Sequence, residues 1–261
     1  MHPTATFPTL SFESVTMEPF FQKTYKRLID SPNNAPFWWH SLPLPDGSRI
    51  NGINPDKDFQ FKKWRALQID DENGLAGKRV LDIGANDGFF SLCAIMAGAA
   101  EVTSIDKDCR TWPDNIQYSS QVWGVNPEIV TADFRTWESP KRYDVIFFLG
   151  VLYHLEDPFT CMRNLYSRLD KNGVVYIESQ MSQIESPLPL FEYASDIYPT
   201  IAIQEKTWLA ATGVSNYLFP NVHAVRNLAY SYDFAYEHLN GPENVYSKEN
   251  PSRQLFKFTR I

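Results

Sequence analysis

The stretch VLDIGANDGFFSL, residues 80–92, decides the fold. A run of aliphatic residues stops at Asp82, two glycines follow at Gly84 and Gly88, and an apolar stretch begins after the second glycine. This order predicts a buried strand, a tight turn and the start of a helix, with a ligand held over the turn. A dinucleotide, a phosphate or another nucleoside could occupy that place, and the rest of the chain has to distinguish among them.

Strands and helices alternate from Lys78 onward, and several of the strands are continuous apolar runs. Such runs are typical of a parallel sheet that is covered on both faces. We therefore expect an α/β fold, a Rossmann-like, doubly wound and mostly parallel seven-stranded sheet. Its predicted strands are 78–84, 101–106, 128–133, 143–150, 173–179, 234–239 and 254–261, the last two as a hairpin, and its helices are 88–99, 115–124, 157–170, with Gly173 just past its end, and 222–231.

Two further segments are expected around this sheet. Residues 1–69 predict an N-terminal extension with helices at 18–30 and 57–69, joined by a loop that contains the aromatic stretch PFWWH at 36–40. Residues 70–261 are expected to form the main domain, which contains the sheet. Within it, residues 181–222 interrupt the alternation between the fifth and sixth strands, and we interpret them as an insertion on the substrate side.

Composition narrows the possible partners. The chain has 261 residues and a formal charge of −7 without a cluster of lysines or arginines, which argues against a nucleic-acid partner. No apolar stretch approaches the roughly 20 residues that a membrane span needs, and the N-terminus lacks a signal-peptide pattern. The three cysteines are scattered and predict no metal site. These features favour a cytoplasmic protein with no membrane partner; they leave its oligomeric state open.

The turn itself does not fit a pyrophosphate. A dinucleotide fingerprint needs a middle glycine for close backbone approach, and Asn86 stands at that position with Asp87 beside it. Acidic side chains would repel a pyrophosphate, which argues against an NAD-dependent oxidoreductase. A P-loop is excluded because the chain has no GK[ST] sequence at this turn.

The next strand ends carry acids that suit a nucleoside. Asp106 follows the second strand, 18 residues beyond Gly88, where a carboxylate can accept both ribose hydroxyls. Asp133 follows the third strand, where it can accept a hydrogen bond from an exocyclic amine, with Phe134 or Ala132 lining an adenine face. The three strand ends together predict a nucleoside with a zwitterionic tail and no phosphates.

This arrangement resembles the class I S-adenosylmethionine-dependent methyltransferases over residues 78–180. The resemblance rests on VLDIGANDG, on SID at 104–106, on TADF at 131–134 and on YDVIFFLGVLYHLEDP at 143–158. It implies S-adenosylmethionine as cofactor. The implied cofactor-binding residues are Asp82, Gly84, Ala85, Asn86, Gly88, Asp106, Lys107, Ala132, Asp133, Phe134, Leu149 and Gly150. Asp87 is expected either to face the methionine amine or to cap the following helix.

A closer resemblance is to the tRNA wobble-uridine carboxymethyltransferase group and its small-molecule relatives, through GINPDKDF at 52–59 and GVLYHLEDPFTCMRNLYSRLDKNGVVYIES at 150–179. In the tRNA enzyme, basic residues follow the Tyr-His pair, and an upstream lysine helps hold a carboxylated cofactor. Here Leu155 and Glu156 follow that pair, and the stretch before Gly52 has Arg49 but no lysine. We therefore expect ordinary S-adenosylmethionine and a small-molecule or glycan acceptor; RNA modification and a non-catalytic cofactor-binding protein are the alternatives.

Candidate catalytic residues follow the fourth and fifth strands. His154 is expected to act as a general base or to form the pocket wall, or else to bond a neighbouring backbone group. Glu178 is expected to touch the substrate, or else to cap a helix or pair with a cation. Substrate contacts are predicted, with plain packing as the alternative, for the Trp39 and His40 lid, for Tyr153 as a pocket-shaping residue, and for Trp208, Tyr217 and Asn221 of the insertion.

Overall fold

A computed structural model describes residues 38–52, 58–70, 73–107, 113–193, 217–239 and 252–261. A seven-stranded sheet forms its centre. Its strands are β3 Arg79–Ile83, β4 Glu101–Asp106, β5 Glu128–Thr131, β6 Tyr143–Leu149, β7 Leu169–Gln180, β10 Phe234–His238 and β11 Arg253–Arg260. They lie in the order β10-β11-β7-β6-β3-β4-β5. Strands β3 to β7 are parallel, and β11 pairs antiparallel with both β7 and β10.

Among the described residues, four short strands lie outside the sheet. Strands β1 (Leu42–Pro43) and β2 (Arg49–Ile50) pair antiparallel, as do β8 (Phe191–Tyr193) and β9 (Leu218–Pro220). The second pair brings together the two described ends of the predicted insertion. Residues 194–216 of that insertion and the predicted helix at 18–30 lie outside the described residues.

Helices cover both faces of the sheet. They are α1 Phe59–Ala66, α2 Phe89–Met96, α3 Asp114–Trp123, α4 Pro158–Arg168 and α5 Val222–Ser231. Alternate residues of β6 point to opposite faces, as strand geometry requires. Phe147 packs with α1 and α2, whereas Phe148 packs with α4 and α5. The predicted doubly wound, mostly parallel seven-stranded sheet is therefore confirmed.

The junction after α4 differs from the prediction. Gly173 was expected to end that helix, but α4 ends at Arg168 and Leu169 is already extended, so that Gly173 lies inside β7. Leu169 pairs with Tyr143, and regular pairing with β6 resumes only at Val174. The irregular step between them accommodates Asn172 at φ 63°.

The N-terminal residues that are described pack on the sheet domain. Trp64 of α1 lies edge-on to Phe147 at 5.9 Å between ring centroids, in the same core as the sheet. Trp38 and Leu42 pack against α2 and α3. The division at residue 69 stays a prediction. No helix in the described ranges has the length and apolar character needed to cross a bilayer.

Candidate functional site

The turn after β3 uses three left-handed residues. Gly84, Asn86 and Gly88 have φ values of 72°, 49° and 81°. Asparagine is one of the few side chains that adopt this region readily, so Asn86 replaces a glycine here at low cost. A Cβ at Gly84 would lie 2.6 Å from a Val151 methyl, and one at Gly88 would lie 2.6 Å from Ile116. The turn therefore needs glycine at its two ends and tolerates asparagine between them.

Asp106 is fixed to this turn. Its Oδ2 accepts the N–H of Asn86 at 2.9 Å, and its Oδ1 accepts the N–H of Lys107 at 2.7 Å. Burial raises the pKa of this carboxyl, and the two backbone donors oppose that effect. A carboxylate offers about four acceptor positions, so each oxygen can accept one further bond. This geometry suits a pair of ribose hydroxyls.

Asp82 lies beneath the turn rather than on its surface. It is 2% exposed, and its Oδ2 accepts the Ser91 hydroxyl at 2.6 Å. The Ser91 oxygen also lies 2.7 Å from that of Ser104. Burial raises the pKa of Asp82 to about 7. Asp82 thus joins β3, α2 and β4 at the base of the turn.

Asp87 does not cap the helix that follows it. Helix α2 has Gly88 as its N-cap, with no side-chain cap bond. The buried Asp87 carboxylate instead accepts the backbone N–H groups of Trp39 at 2.8 Å and His40 at 2.7 Å, and the Asn115 side-chain amide at 2.7 Å. The expectation that Asp87 caps α2 was wrong, and its contact with the methionine amine stays a prediction.

The end of β5 is only partly arranged as predicted. The Arg135 guanidinium binds both oxygens of Asp133, with Nε at 2.9 and 3.0 Å, and these bonds lower the pKa of Asp133 to about 2. Lys107 Nζ lies 3.6 Å from the same carboxylate. The Phe134 ring packs edge-on against Phe148 in the core, and its contact with an adenine stays a prediction. Ala132 is half-buried at the edge of that core.

A charged cluster of Lys63, Tyr153, Glu178 and Arg253 occupies the ends of β6 and β7. Glu178 is fully buried; its Oε2 is 3.2 Å from Lys63 Nζ and its Oε1 accepts Arg253 Nη1 at 2.8 Å. Arg253 Nη2 donates to the Tyr153 hydroxyl at 3.0 Å. Of the three expected roles for Glu178, the structure shows cation pairing. Because each carboxylate oxygen already holds a cation, the geometry gives no support to proton removal by Glu178.

Gly150 lies directly over this cluster. It has φ 85°, and a Cβ there would lie 3.4 Å from Glu178 Oε2 and 3.7 Å from the Tyr153 hydroxyl. Its N–H donates to the Glu178 carbonyl at 3.0 Å. Leu149, one residue earlier, is buried in the core. The backbone at Gly150 therefore lies against the charged cluster, without a side chain between them.

His40 is buried close enough to the cluster to feel its charges. Burial, together with the positive charge of Lys63, lowers the pKa of His40 to about 3, so the imidazole is neutral at physiological pH. Within the described part of the chain its Nδ1 has no hydrogen-bond partner. The nearest carboxylate oxygen, on Asp87, is 3.7 Å away. The ring also lies edge-on to Phe90 at 6.2 Å.

His154 ends a single 3-10 turn, Leu152–His154, that follows β6. Its ring is half-buried and lies 4.1 Å from the Tyr153 ring, centroid to centroid. Its backbone N–H donates to Val151. The N–H of the half-buried Tyr217 donates to the Tyr153 carbonyl at 2.8 Å, which joins the insertion to this turn.

Two further residues of the insertion, Asn221 and Trp208, were expected at the substrate. Asn221 caps α5: its Oδ1 accepts the N–H of Ala224 at 2.9 Å and of Leu190 at 3.2 Å, and its Nδ2 donates to Leu188 at 2.8 Å. These bonds agree with the packing alternative for Asn221, and its contact with a substrate stays a prediction. Trp208 lies outside the described residues.

Sequence reasoning missed Lys63 and Arg253. Lys63 had a detectable signal, because it lies one helical turn from both Phe59 and Leu67 and therefore on the buried face of α1. Arg253 begins β11 and gave no signal, since nothing in the sequence shows that it lies beside Tyr153, 100 positions earlier.

Comparisons with known proteins agree on the fold class. A family model described as a methyltransferase domain matches residues 60–239. A ubiquinone biosynthesis O-methyltransferase of Pseudomonas savastanoi is 32% identical over 133 residues, covering 48% of this chain and 56% of that protein. A tRNA U34 carboxymethyltransferase of Campylobacter jejuni is 27% identical over 197 residues, covering 72% of this chain and 59% of that protein. This chain thus spans under two thirds of the length of each relative.

Two solved structures share the fold. An S-adenosylmethionine-dependent methyltransferase from Mesorhizobium loti aligns with 76% of this chain and over 98% of its own length, at 20% identity and a TM-score of 0.54. The second is a Burkholderia thailandensis 1,6-didemethyltoxoflavin N1-methyltransferase, solved with S-adenosylhomocysteine. It aligns with 96% of this chain and over 93% of its own length, at 12% identity and a TM-score of 0.55. At these identities the likeness concerns the fold alone.

Proposed function

The chain belongs to the methyltransferase-domain family, and from that premise we propose that it moves a methyl group from S-adenosylmethionine to a hydroxyl or amine of a small molecule or glycan. Membership confirms the class I resemblance and the cofactor predicted from the sequence. When bound, the cofactor supplies a methyl group on a positively charged sulfur. The neutral thioether that remains after transfer is a good leaving group. The acceptor and the residues that touch it belong to the proposal.

The proposal rests on the geometry of the Asp106 carboxylate. Its carboxylate is held by Asn86 and Lys107, and it retains an acceptor position on each oxygen. Such a fixed pair of acceptors fits two adjacent ribose hydroxyls. The acceptor positions at this edge therefore support binding of a nucleoside.

The acceptor would lie beside Gly150, facing His154, Tyr153 and the neutral His40. A hydroxyl acceptor must lose its proton, and we assign that step to His154, which is half-buried and stands next to Tyr153. A positioned base typically contributes about 10²–10⁴-fold to the rate. Glu178 is assigned a positioning role, because it fixes Lys63 and Arg253 beneath the pocket. Tyr217 would form part of the acceptor wall through its bond to Tyr153.

The variant His154→Ala tests this assignment. We expect the rate of labelled-methyl transfer to a panel of hydroxyl acceptors to fall by about 10²-fold or more, while the affinity for S-adenosylhomocysteine, measured calorimetrically, changes little. His223→Ala serves as a control, since His223 lies on α5 and hydrogen-bonds Arg226. An unchanged rate across pH would remove the base role, and transfer to no acceptor would favour a non-catalytic cofactor-binding protein.

A second candidate is transfer of a carboxymethyl group to a tRNA wobble uridine, and the charged cluster favours it. The sequence suggested that the basic residues needed for a carboxylated cofactor are absent, yet Arg253 contacts Tyr153 and Lys63 lies beneath Gly150. Two cations and one carboxylate leave a net positive charge there, which would suit an added carboxylate on the transferred group.

The two candidates differ in their preferred donor. Calorimetric titration with S-adenosylmethionine and with its carboxylated analogue separates them. Equal or tighter binding of S-adenosylmethionine supports methyl transfer. A preference of more than about tenfold for the analogue, accompanied by tRNA binding that weakens steeply with salt, supports the second candidate.

A further inference from the structure

Asp87 joins three parts of the molecule that are distant in sequence. Its Oδ2 accepts two consecutive backbone N–H groups, those of Trp39 and His40, at 2.8 and 2.7 Å. Its Oδ1 accepts the Asn115 amide of α3 at 2.7 Å. The Ser119 hydroxyl, one turn further along α3, donates to the Asp87 carbonyl at 3.0 Å. Asp87 thus connects the turn after β3 to α3 and to the segment at 38–43.

That segment is also packed onto the helices. Trp38 lies edge-on to Tyr118 at 5.7 Å between ring centroids, and Trp123 Nε1 donates to the Pro43 carbonyl at 3.0 Å. These contacts hold the two ends of the segment on α3. They do not fix the orientation of the peptide groups at Trp39 and His40, which lie between those ends. The Asp87 carboxylate, by contrast, bonds the backbone of this segment directly, at Trp39 and at His40.

The position of His40 depends on that backbone. Its ring is enclosed near Lys63, Glu178 and Arg253, whose charges all act on it. A carboxylate that receives two adjacent N–H groups fixes the orientation of both peptide units. Holding a carboxylate in this buried place is costly, as the pKa of Asp87, raised to about 6, indicates. A neutral side chain would suffice for packing alone, so the charge points to a positioning role.

We propose that Asp87 is a positioning residue that orients the Trp39–His40 backbone against the turn Gly84–Gly88 and thereby holds the His40 imidazole in the transfer pocket. The proposal rests on the proposed function, because it takes that turn as the cofactor site. Cofactor binding at the turn and the position of His40 are then coupled through one side chain. Charged acceptors make the stronger class of hydrogen bond, which suits such a link.

Amide hydrogen exchange at Trp39 and His40 tests the proposal. In the full chain without cofactor, Asp87→Ala should speed exchange at these two amides by about tenfold or more, since bonds to charged groups are worth roughly 1.5–3 kcal/mol. The double variant Asp87→Asn/Asn115→Asp should restore protection: the new amide oxygen accepts both N–H groups, and its NH₂ donates to the carboxylate at 115. Asp144→Ala is the matched control, since Asp144 accepts the Arg79 backbone N–H at 2.8 Å, in the β3 strand that precedes the turn.

The second measurement repeats the hydrogen exchange with the protein saturated with S-adenosylhomocysteine, the probe. Protection of the two amides should rise in the wild type and in the swapped pair, but not in Asp87→Ala, whose affinity for the probe should fall severalfold. Wild-type protection in Asp87→Ala would overturn the proposal, as would unprotected amides in a folded swapped pair. If Asp87→Ala does not fold, the swapped pair decides alone. Failure of the wild type to bind the probe would instead contradict the proposed function, while the measurements without probe still test the link.

Discussion

The two halves of the sheet edge differ in how they are built. At the ends of β3, β4 and β5, the nucleoside edge, Asp106 is tied to backbone groups only 20 and 1 positions away. At the ends of β6 and β7, the transfer edge, Glu178 pairs with Lys63 across 115 positions and with Arg253 across 75. The first edge depends on local turns, whereas the second exists only when three remote segments meet.

This difference determines what each edge tolerates. When a carboxylate that bonds backbone amides is replaced, the turn around it keeps its shape, because the glycines of the turn also hold it. Removing one member of a buried ion cluster leaves the remaining charges unpaired in the interior. We therefore expect substitutions at the transfer edge to affect stability most, and those at the nucleoside edge to affect binding first.

The largest effect is expected for Glu178→Ala. It would leave Lys63 and Arg253 beside each other in a buried place, at a cost of about 3–5 kcal/mol in the free energy of unfolding. Urea unfolding measures this change. Glu237→Ala is the matched control, because Glu237 pairs with Lys257 at 3.4 Å on neighbouring strands but is mostly exposed, so it should cost under about 1 kcal/mol. Equal costs for the two variants would erase the distinction between the edges.

A smaller effect is expected for Asp106→Ala. The variant should stay folded and lose affinity for S-adenosylhomocysteine by about 10- to 100-fold, since it removes hydrogen bonds to a charged acceptor worth roughly 1.5–3 kcal/mol. Calorimetric titration measures the affinity. Asp46→Ala provides the comparison, because Asp46 is an exposed turn residue that accepts only Ser48. Unchanged affinity in Asp106→Ala would contradict its assignment as ribose ligand.

The smallest effect concerns pH. Burial raises the pKa of Asp82 to about 7, well above its value in an unfolded chain. The native state therefore binds this proton more tightly, and the free energy of unfolding decreases as pH rises toward the folded pKa. Between pH 5 and 7 the Asp82 contribution to this decrease is about 2 kcal/mol. Asp82→Asn should flatten the profile; a wild-type slope in this variant would refute the raised pKa.

Sequence reasoning succeeded where the signal is local. The strands at 101–106 and 128–133, the helix at 222–231 and the acids that follow consecutive strands all come from short patterns. It failed where side chains serve distant partners. Asp87 was expected to cap α2 but accepts the N–H groups of Trp39 and His40, and Lys63 was missed although it pairs with Glu178. A carboxylate or an ammonium group suits many partners, and only the tertiary structure decides which one it meets.

The sequence by itself determined the doubly wound sheet, the turn after β3 and the presence of an acid at each nucleoside strand end, because hydrophobic periodicity and glycine placement act over a few residues. The tertiary structure alone decided that Lys63 and Arg253 meet Glu178, and that Asp87 holds Trp39 and His40. The physical reason is that burial brings remote polar groups together, and each buried charge must then find its partner in space rather than along the chain.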